Sequence, residues 1–133
     1  MELSAIYVED LAAASIRAGV AEGVRGGTFY VNHPEVVTSA ELVRGIARTM
    51  GREVRLVGIP EPVARGILTL TGGMAALFHR KTILRADKAN EFYQEAWTGE
   101  PAPFTAASGW TAATDLQTGL ARTWAFYQTA GWL

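Results

Sequence analysis

Ser108-Gly109-Trp110-Thr111, then Leu116-Gln117-Thr118-Gly119-Leu120-Ala121-Arg122-Thr123, then Trp124-Ala125-Phe126-Tyr127-Gln128-Thr129-Ala130-Gly131-Trp132-Leu133 are the residues from which the rest of the chain is best read. Thr114-Asp115-Leu116-Gln117 fits a capping box, the pairing of helix-start side chains with free backbone amides. Leu116, Leu120, Trp124 and Tyr127 recur at helical spacing and predict one apolar stripe. Gly131 is a fitting stop.

Working back from there, Gly99, Pro101 and Pro103 predict a loop, and 86–97 reads as a helix with Ala89, Phe92, Tyr93 and Ala96 on its apolar side. Pro60 and Pro62 open a long apolar helix, weakened near Gly72-Gly73 by the entropy cost of glycine. Val54-Arg55-Leu56-Val57 alternates as a strand. Thr38-Ser39-Ala40-Glu41 fits a capping box, with Val37 and Leu42 placed to form a hydrophobic staple. Leu42, Ile46 and Met50 line one face of that helix, and Gly51 ends it. Phe29-Tyr30-Val31 reads as a strand closed by Asn32-His33-Pro34, after a turn at Gly26-Gly27. Ala5-Ile6-Tyr7-Val8 reads as the first strand, with Asp10 as an N-cap. Leu11, Ala12, Ile16 and Val20 form a helical stripe running to a stop at Gly23.

The order is strand, helix, strand, helix, strand, then three helices. It predicts an α/β chain with short parallel strands joined by crossover helices. Three short strands make a thin sheet, whose far edge wants a partner strand.

Composition narrows the function classes. The chain has 133 residues, 49% hydrophobic and 19% charged, which predicts one globular domain. Net charge is −1 and the arginines are scattered, so no nucleic-acid surface is expected. There is no cysteine, which excludes disulfides and thiolate metal sites. His33 and His79 are far apart and read as surface or loop histidines, with no metal site expected. The N-terminus carries no signal-peptide pattern, and cytoplasm is the expected compartment. The stretch 63–78 is apolar but contains Arg65 and is shorter than the ~20 residues of a membrane crossing. It reads as a buried or groove-lining helix, with an interfacial helix as the alternative.

Taken in order, Tyr7-Val8-Glu9-Asp10-Leu11-Ala12, Thr28 to Asn32, Thr38 to Gly51, Asp87-Lys88 through Trp97, and Gly109-Trp110 with the final helix carry a resemblance. They resemble the C-terminal portion of an extended short-chain dehydrogenase/reductase, of the NAD-dependent epimerase/dehydratase family. The resemblance covers nearly the whole chain. It implies a Rossmann-type fold whose N-terminal dinucleotide-binding region is absent here, leaving residues 1–133 as the substrate-side domain.

The departures from the family pattern matter equally. The family binds NAD(P) through a Gly-rich turn that opens a helix. Gly23, Gly26 and Gly27 follow a helix instead and read as an ordinary turn. The family's acid–base pair is Tyr-x-x-x-Lys, but Leu77 and Leu84 stand four residues before Lys81 and Lys88. A tyrosine without that lysine keeps a pKa of about 10 and is a poor base at neutral pH. No cofactor is therefore expected on this chain alone, and catalysis is expected from the intact enzyme.

Sugar-nucleotide members carry an arginine where this chain has Leu3. The resemblance offers Arg85, with Asp87, as a substrate-binding pair, because a guanidinium matches phosphate oxygens bidentately; a solvated helix-start arginine is the plainer reading. The apolar stretch 67–78 would also suit a less polar substrate, as in the hydroxysteroid dehydrogenase-like members, and ordinary core burial explains it equally well. The resemblance thus implies the substrate-binding portion of a sugar-nucleotide epimerase/dehydratase-type oxidoreductase, its partner being a small-molecule substrate. The rival reading is a non-catalytic module that pairs with itself or with a separate Rossmann-type chain. Trp97, Trp110, Trp124 and Trp132 are expected to serve mainly as core or interface anchors.

Overall fold

The computed structural model describes residues 1–77 and 93–132. Along the chain run β1 (Glu2–Ser4), α1 (Val8–Val20), a 3-10 turn (Glu22–Val24), β2 (Val36–Thr38), α2 (Ser39–Thr49), α3 (Glu61–Leu77), β3 (Ala96–Trp97), α4 (Ala102–Ser108) and α5 (Leu116–Thr129). The chain is mixed α/β, with a three-stranded sheet in the order β2-β1-β3.

β1 and β2 run antiparallel, pairing Glu2 with Thr38, Leu3 with Val37 and Ser4 with Val36. This corrects the expectation of parallel strands. The apolar runs taken for strands are not in ladders either. Ala5 to Tyr7 link β1 to α1, and Val8 is already helical. Phe29 and Val31 lie against the core while Tyr30 is exposed, so the in–out alternation of a strand is real. A backbone bond from His33 N to Ala5 O, at 2.8 Å, anchors the end of this stretch. β-Propensity measures fit to a half-buried extended surface, and an arm packed against helices satisfies it without strand partners. Val54 to Val57 are exposed and outside any strand.

Glu2–Val54 and Trp97–Leu133 form one compact unit, and Arg55–Ala96 with Met1 form another. In the first, the core gathers Ala14 of α1, Val24 of the 3-10 turn and Phe104 of α4, with Phe29, Val31, Ala107 and Trp110 around it. Phe104 meets Phe29 and Trp110 edge-on, with ring centroids 6.0 Å apart in each pair. Buried Ser108 ties this region together: its hydroxyl donates to Phe104 O at 2.7 Å, and its carbonyl accepts from Arg17 Nε at 2.6 Å. Gly23 sits in the 3-10 turn rather than ending α1. A β-carbon there would lie 2.4 Å from Ala107 O, so only glycine lets the turn touch α4.

The helix termini follow local chemistry. At α2, Glu41 N donates to Thr38 Oγ1 at 3.2 Å and Thr38 N donates to Glu41 Oε2 at 2.7 Å, the expected capping box. Gly51 has φ +66, its N–H donates to Arg48 O, and Arg52 N donates to Ala47 O, which closes a Schellman motif. The end of α5 repeats this device. Gly131 donates to Gln128 O, Trp132 N donates to Tyr127 O, and the Trp132 ring stacks on Tyr127 at 5.6 Å.

Three boundaries differ from the expectation. Asp115, not Thr114, caps α5. Pro101 and Pro103 lie at the start of α4 rather than in a loop, because proline is well tolerated in a first helical turn. Trp97, placed at a helix end by its apolar spacing, belongs to β3; of that predicted helix, residues 86–92 lie outside the described residues.

In the second unit, Val63 N and Ala64 N both donate to Pro60 O, which starts α3 as the prolines foretold. Arg65 pairs with Glu61 at 2.8 Å, one turn away. No helix among the described residues is long and apolar enough to cross a membrane. Trp110 is packed at the core and Trp124 is half-buried, whereas Trp97 and Trp132 are 56% and 70% exposed.

Candidate functional site

The N-termini of α1 and α5 meet beside the sheet. Asp10, in the first turn of α1, is not its cap; Tyr7 holds that position and contributes no side-chain bond to it. Asp10 Oδ2 instead accepts from Ala113 N at 3.2 Å and Thr114 N at 2.8 Å. A carboxylate that accepts two backbone amides makes strong charge-assisted bonds. This one fixes the segment leading into α5 against α1.

A cavity of about 190 Å³ opens next to this junction, walled by Ile6, Tyr7, Val37, Leu42, Leu116 and Leu120, with His33, Glu35, Thr114, Asp115 and Thr123 at its edges. Gly119 faces Tyr7, and a β-carbon there would lie 3.4 Å from the ring, an ordinary van der Waals contact. α2 and α5 pack face to face, and at Gly45 a β-carbon would fall 2.8 Å from Leu120 Cδ1.

The polar groups at the rim are mostly committed to structure. His33 Nδ1 accepts from Glu35 N at 3.2 Å, which leaves the ring proton on Nε2. Asp115 accepts from Thr118 N at 2.8 Å and from Thr118 Oγ1 at 3.2 Å. The Thr118 amide and then its hydroxyl hold the Asp115 carboxyl below the usual carboxylate range, with smaller help from the Gln117 amide and from His33. Arg122 lies 5.6 Å over the Tyr7 ring and 3.7 Å from Glu9, an exposed arrangement of small energetic weight. Residue 11, four after Tyr7, is leucine, so Tyr7 does not open a Tyr-x-x-x-Lys pair. At about 190 Å³ the cavity is smaller than the roughly 300–1,000 Å³ of ordinary ligand pockets, so it has room for a functional group or small fragment.

Arg85 and Asp87, the substrate-binding pair implied by the resemblance, lie outside the described residues. Gly26 and Gly27 follow the 3-10 turn, and no helix N-terminus opens from them to present an amide row to a pyrophosphate. Among the described residues no three of His, Asp and Glu gather as metal ligands. The residues that do converge, Tyr7, His33 and Asp115, are not ones the sequence marks as a site. Tyr7 and Asp115 immediately precede α1 and α5, segments more than a hundred residues apart, and no sequence signal pairs them.

No family model matches the chain. A curated relative does: the protein named ceramide reductase of Caulobacter vibrioides (strain NA1000 / CB15N) is 34% identical over 99 residues, 72% of this chain. The chain spans 30% of that relative's length. Its similarity is therefore to part of a reductase.

Proposed function

We propose that this chain is the substrate-side portion of a nicotinamide-dependent reductase of the short-chain dehydrogenase type. On this reading the intact protein reduces a carbonyl, or oxidises the matching hydroxyl, of a ceramide-like or other apolar molecule. The observation that carries it is the 34% identity over 99 residues with a protein named ceramide reductase. The walls of the Tyr7–Leu120 cavity are mainly apolar, and its about 190 Å³ would take one part of such a substrate. A nucleotide-sugar substrate has less behind it, since Leu3 stands where an arginine would meet the pyrophosphate. The dinucleotide and the acid–base pair then belong to the remainder of the intact enzyme.

The test is an assay of the protein that carries this chain. NADH or NADPH oxidation in step with loss of a ceramide's ketone form is the expected result, with neither dinucleotide bound by the 133-residue chain in calorimetry. Absence of turnover with ceramide ketones and with other apolar ketones and alcohols would refute the substrate class. Tight dinucleotide binding by the isolated chain would refute the division of labour.

A second reading, a pairing module, is favoured by one observation. Val8, Ile16 and Val20 of α1 are 67%, 72% and 69% exposed, so much of the helix's apolar surface is left uncovered by this chain. Sedimentation decides it: a concentration-independent monomer, alone and with a Rossmann-type chain, would remove this reading.

A further inference from the structure

His33 is fixed at its backbone and held more loosely at its ring. Its N–H donates to Ala5 O at 2.8 Å, and its carbonyl accepts from Nδ2 of the buried Asn32 at 2.9 Å. Pro34 follows, and a residue before proline is restricted to extended backbone. The ring is therefore the part that can turn. Among the described residues it has one hydrogen bond, accepted at Nδ1 from Glu35 N. An imidazole nitrogen accepts only while it carries no proton, and in the imidazolium both nitrogens are donors. The bond to Glu35 thus belongs to neutral His33 and is lost when Nδ1 is protonated. Imidazole is also the side chain whose ordinary charge change falls between about pH 5 and 8.

The cavity that His33 edges supplies a destination for the displaced N–H. Its lining holds two carboxylates, Glu35 on the same segment as His33 and Asp115 at the start of α5, and no lysine or arginine. Tyr7, before α1, is the other titratable group on the lining, while β2 and α2 contribute Val37 and Leu42. Glu41, Arg44 and Arg48 of α2 line the adjoining opening with Glu35 and Asp115. Asp115 keeps its charge further into acid than an ordinary carboxylate, because the Thr118 amide and then its hydroxyl hold its carboxyl low; His33 adds a smaller electrostatic contribution, so the two side chains already act on one another.

We propose that His33 is a protonation switch at the mouth of the Tyr7 cavity: neutral, it pins the bend at Pro34-Glu35 through Nδ1; protonated, it releases Glu35 and turns an N–H across the mouth to the Asp115 carboxylate. The only chemical step is uptake of one solvent proton by Nδ1. The mouth becomes one unit more positive and narrows, so acid closes the cavity. The switch stands apart from the reductase reading, since its readouts need neither cofactor nor substrate.

The experiment is a pH titration of the purified, isotope-labelled chain by NMR. Long-range ring correlations above the histidine range should show Nε2 protonated and Nδ1 bare. On acidification the His33 ring, the Glu35 amide and the Thr118 amide should shift with one common midpoint, because the ring leaves Glu35 and competes with Thr118 for Asp115. His33→Asn, which also assigns the ring signals against those of His79, offers at Oδ1 an acceptor that does not titrate; both amide steps should vanish in it. Asp115→Asn keeps a capping oxygen without the charge, and should abolish the Thr118 step while leaving that of Glu35. A ring protonated at Nδ1 above the histidine range, or a Glu35 amide that does not follow the His33 midpoint, overturns the proposal. So does a Thr118 step that survives in folded His33→Asn. Where a variant fails to fold, the three midpoints of the unaltered chain decide by themselves: agreement supports the switch, and disagreement overturns it.

Discussion

Asp10 reaches across 104 residues of chain to accept the amide of Thr114 at 2.8 Å. The same oxygen takes the Ala113 amide, so one carboxylate fixes where α5 begins relative to α1. Asp10→Ala leaves two amides without their acceptor and should destabilise the chain by about 1.5–3 kcal/mol. Glu9→Gln, one residue away in an exposed long pair with Arg122, should change stability by less than about 0.5 kcal/mol. Urea unfolding of both variants checks the contrast.

Two glycines near α1 should respond in opposite directions to alanine. At Gly23 the new methyl meets the Ala107 carbonyl at 2.4 Å, and backbone must move. Gly23→Ala should cost about 1–3 kcal/mol. Gly19 is helical, and a β-carbon added there would have nothing within 4 Å. Gly19→Ala should stabilise by roughly 0.5–1 kcal/mol through helix propensity and a stiffer unfolded chain. Thermal melts of the pair suffice.

Phe104 is 3% exposed and lies edge-on between Phe29 and Trp110. Phe104→Ala should cost about 3–5 kcal/mol. Near-ultraviolet circular dichroism should lose the signal of the aromatic cluster well before the far-ultraviolet helix signal falls.

Acid should unfold the chain partly through its helix caps. Glu41 is held below the usual carboxylate range by the Thr38 amide and then its hydroxyl, and Asp115 by the Thr118 amide and then its hydroxyl. Their folded values lie below the unfolded ones, so the unfolded chain binds more protons in acid. The stability they contribute is complete above the unfolded carboxylate range and is lost as pH falls through the folded values. Asp115→Ser keeps a capping oxygen that does not titrate, so it should flatten the acid side of the stability–pH curve without abolishing α5. Denaturant midpoints measured against pH check this.

What could be read from residues alone was the local chemistry. The Thr38–Glu41 box, the Gly51 and Gly131 stops and the proline start of α3 each depend on neighbours a few residues away. The strands were misplaced because a three-residue ladder carries too little alternation to register, while Phe29 to Val31 alternate by packing on helices. Pro101 and Pro103 suggested a break where they mark a beginning. The convergence of Tyr7, His33 and Asp115, like the Asp10 tie, joins distant segments, and spacing along the chain contains no term for it.

One compact unit is assembled from Glu2–Val54 and Trp97–Leu133, with Arg55–Ala96 between them in sequence. During synthesis, α1 leaves the ribosome long before α4 and α5 exist. Its buried Ala14 and its carboxylate at Asp10 must wait for Phe104 and Thr114 to emerge. Nascent chains stalled short of residue 104 should therefore be protease-sensitive, and should become resistant only once Thr114 and α5 have emerged.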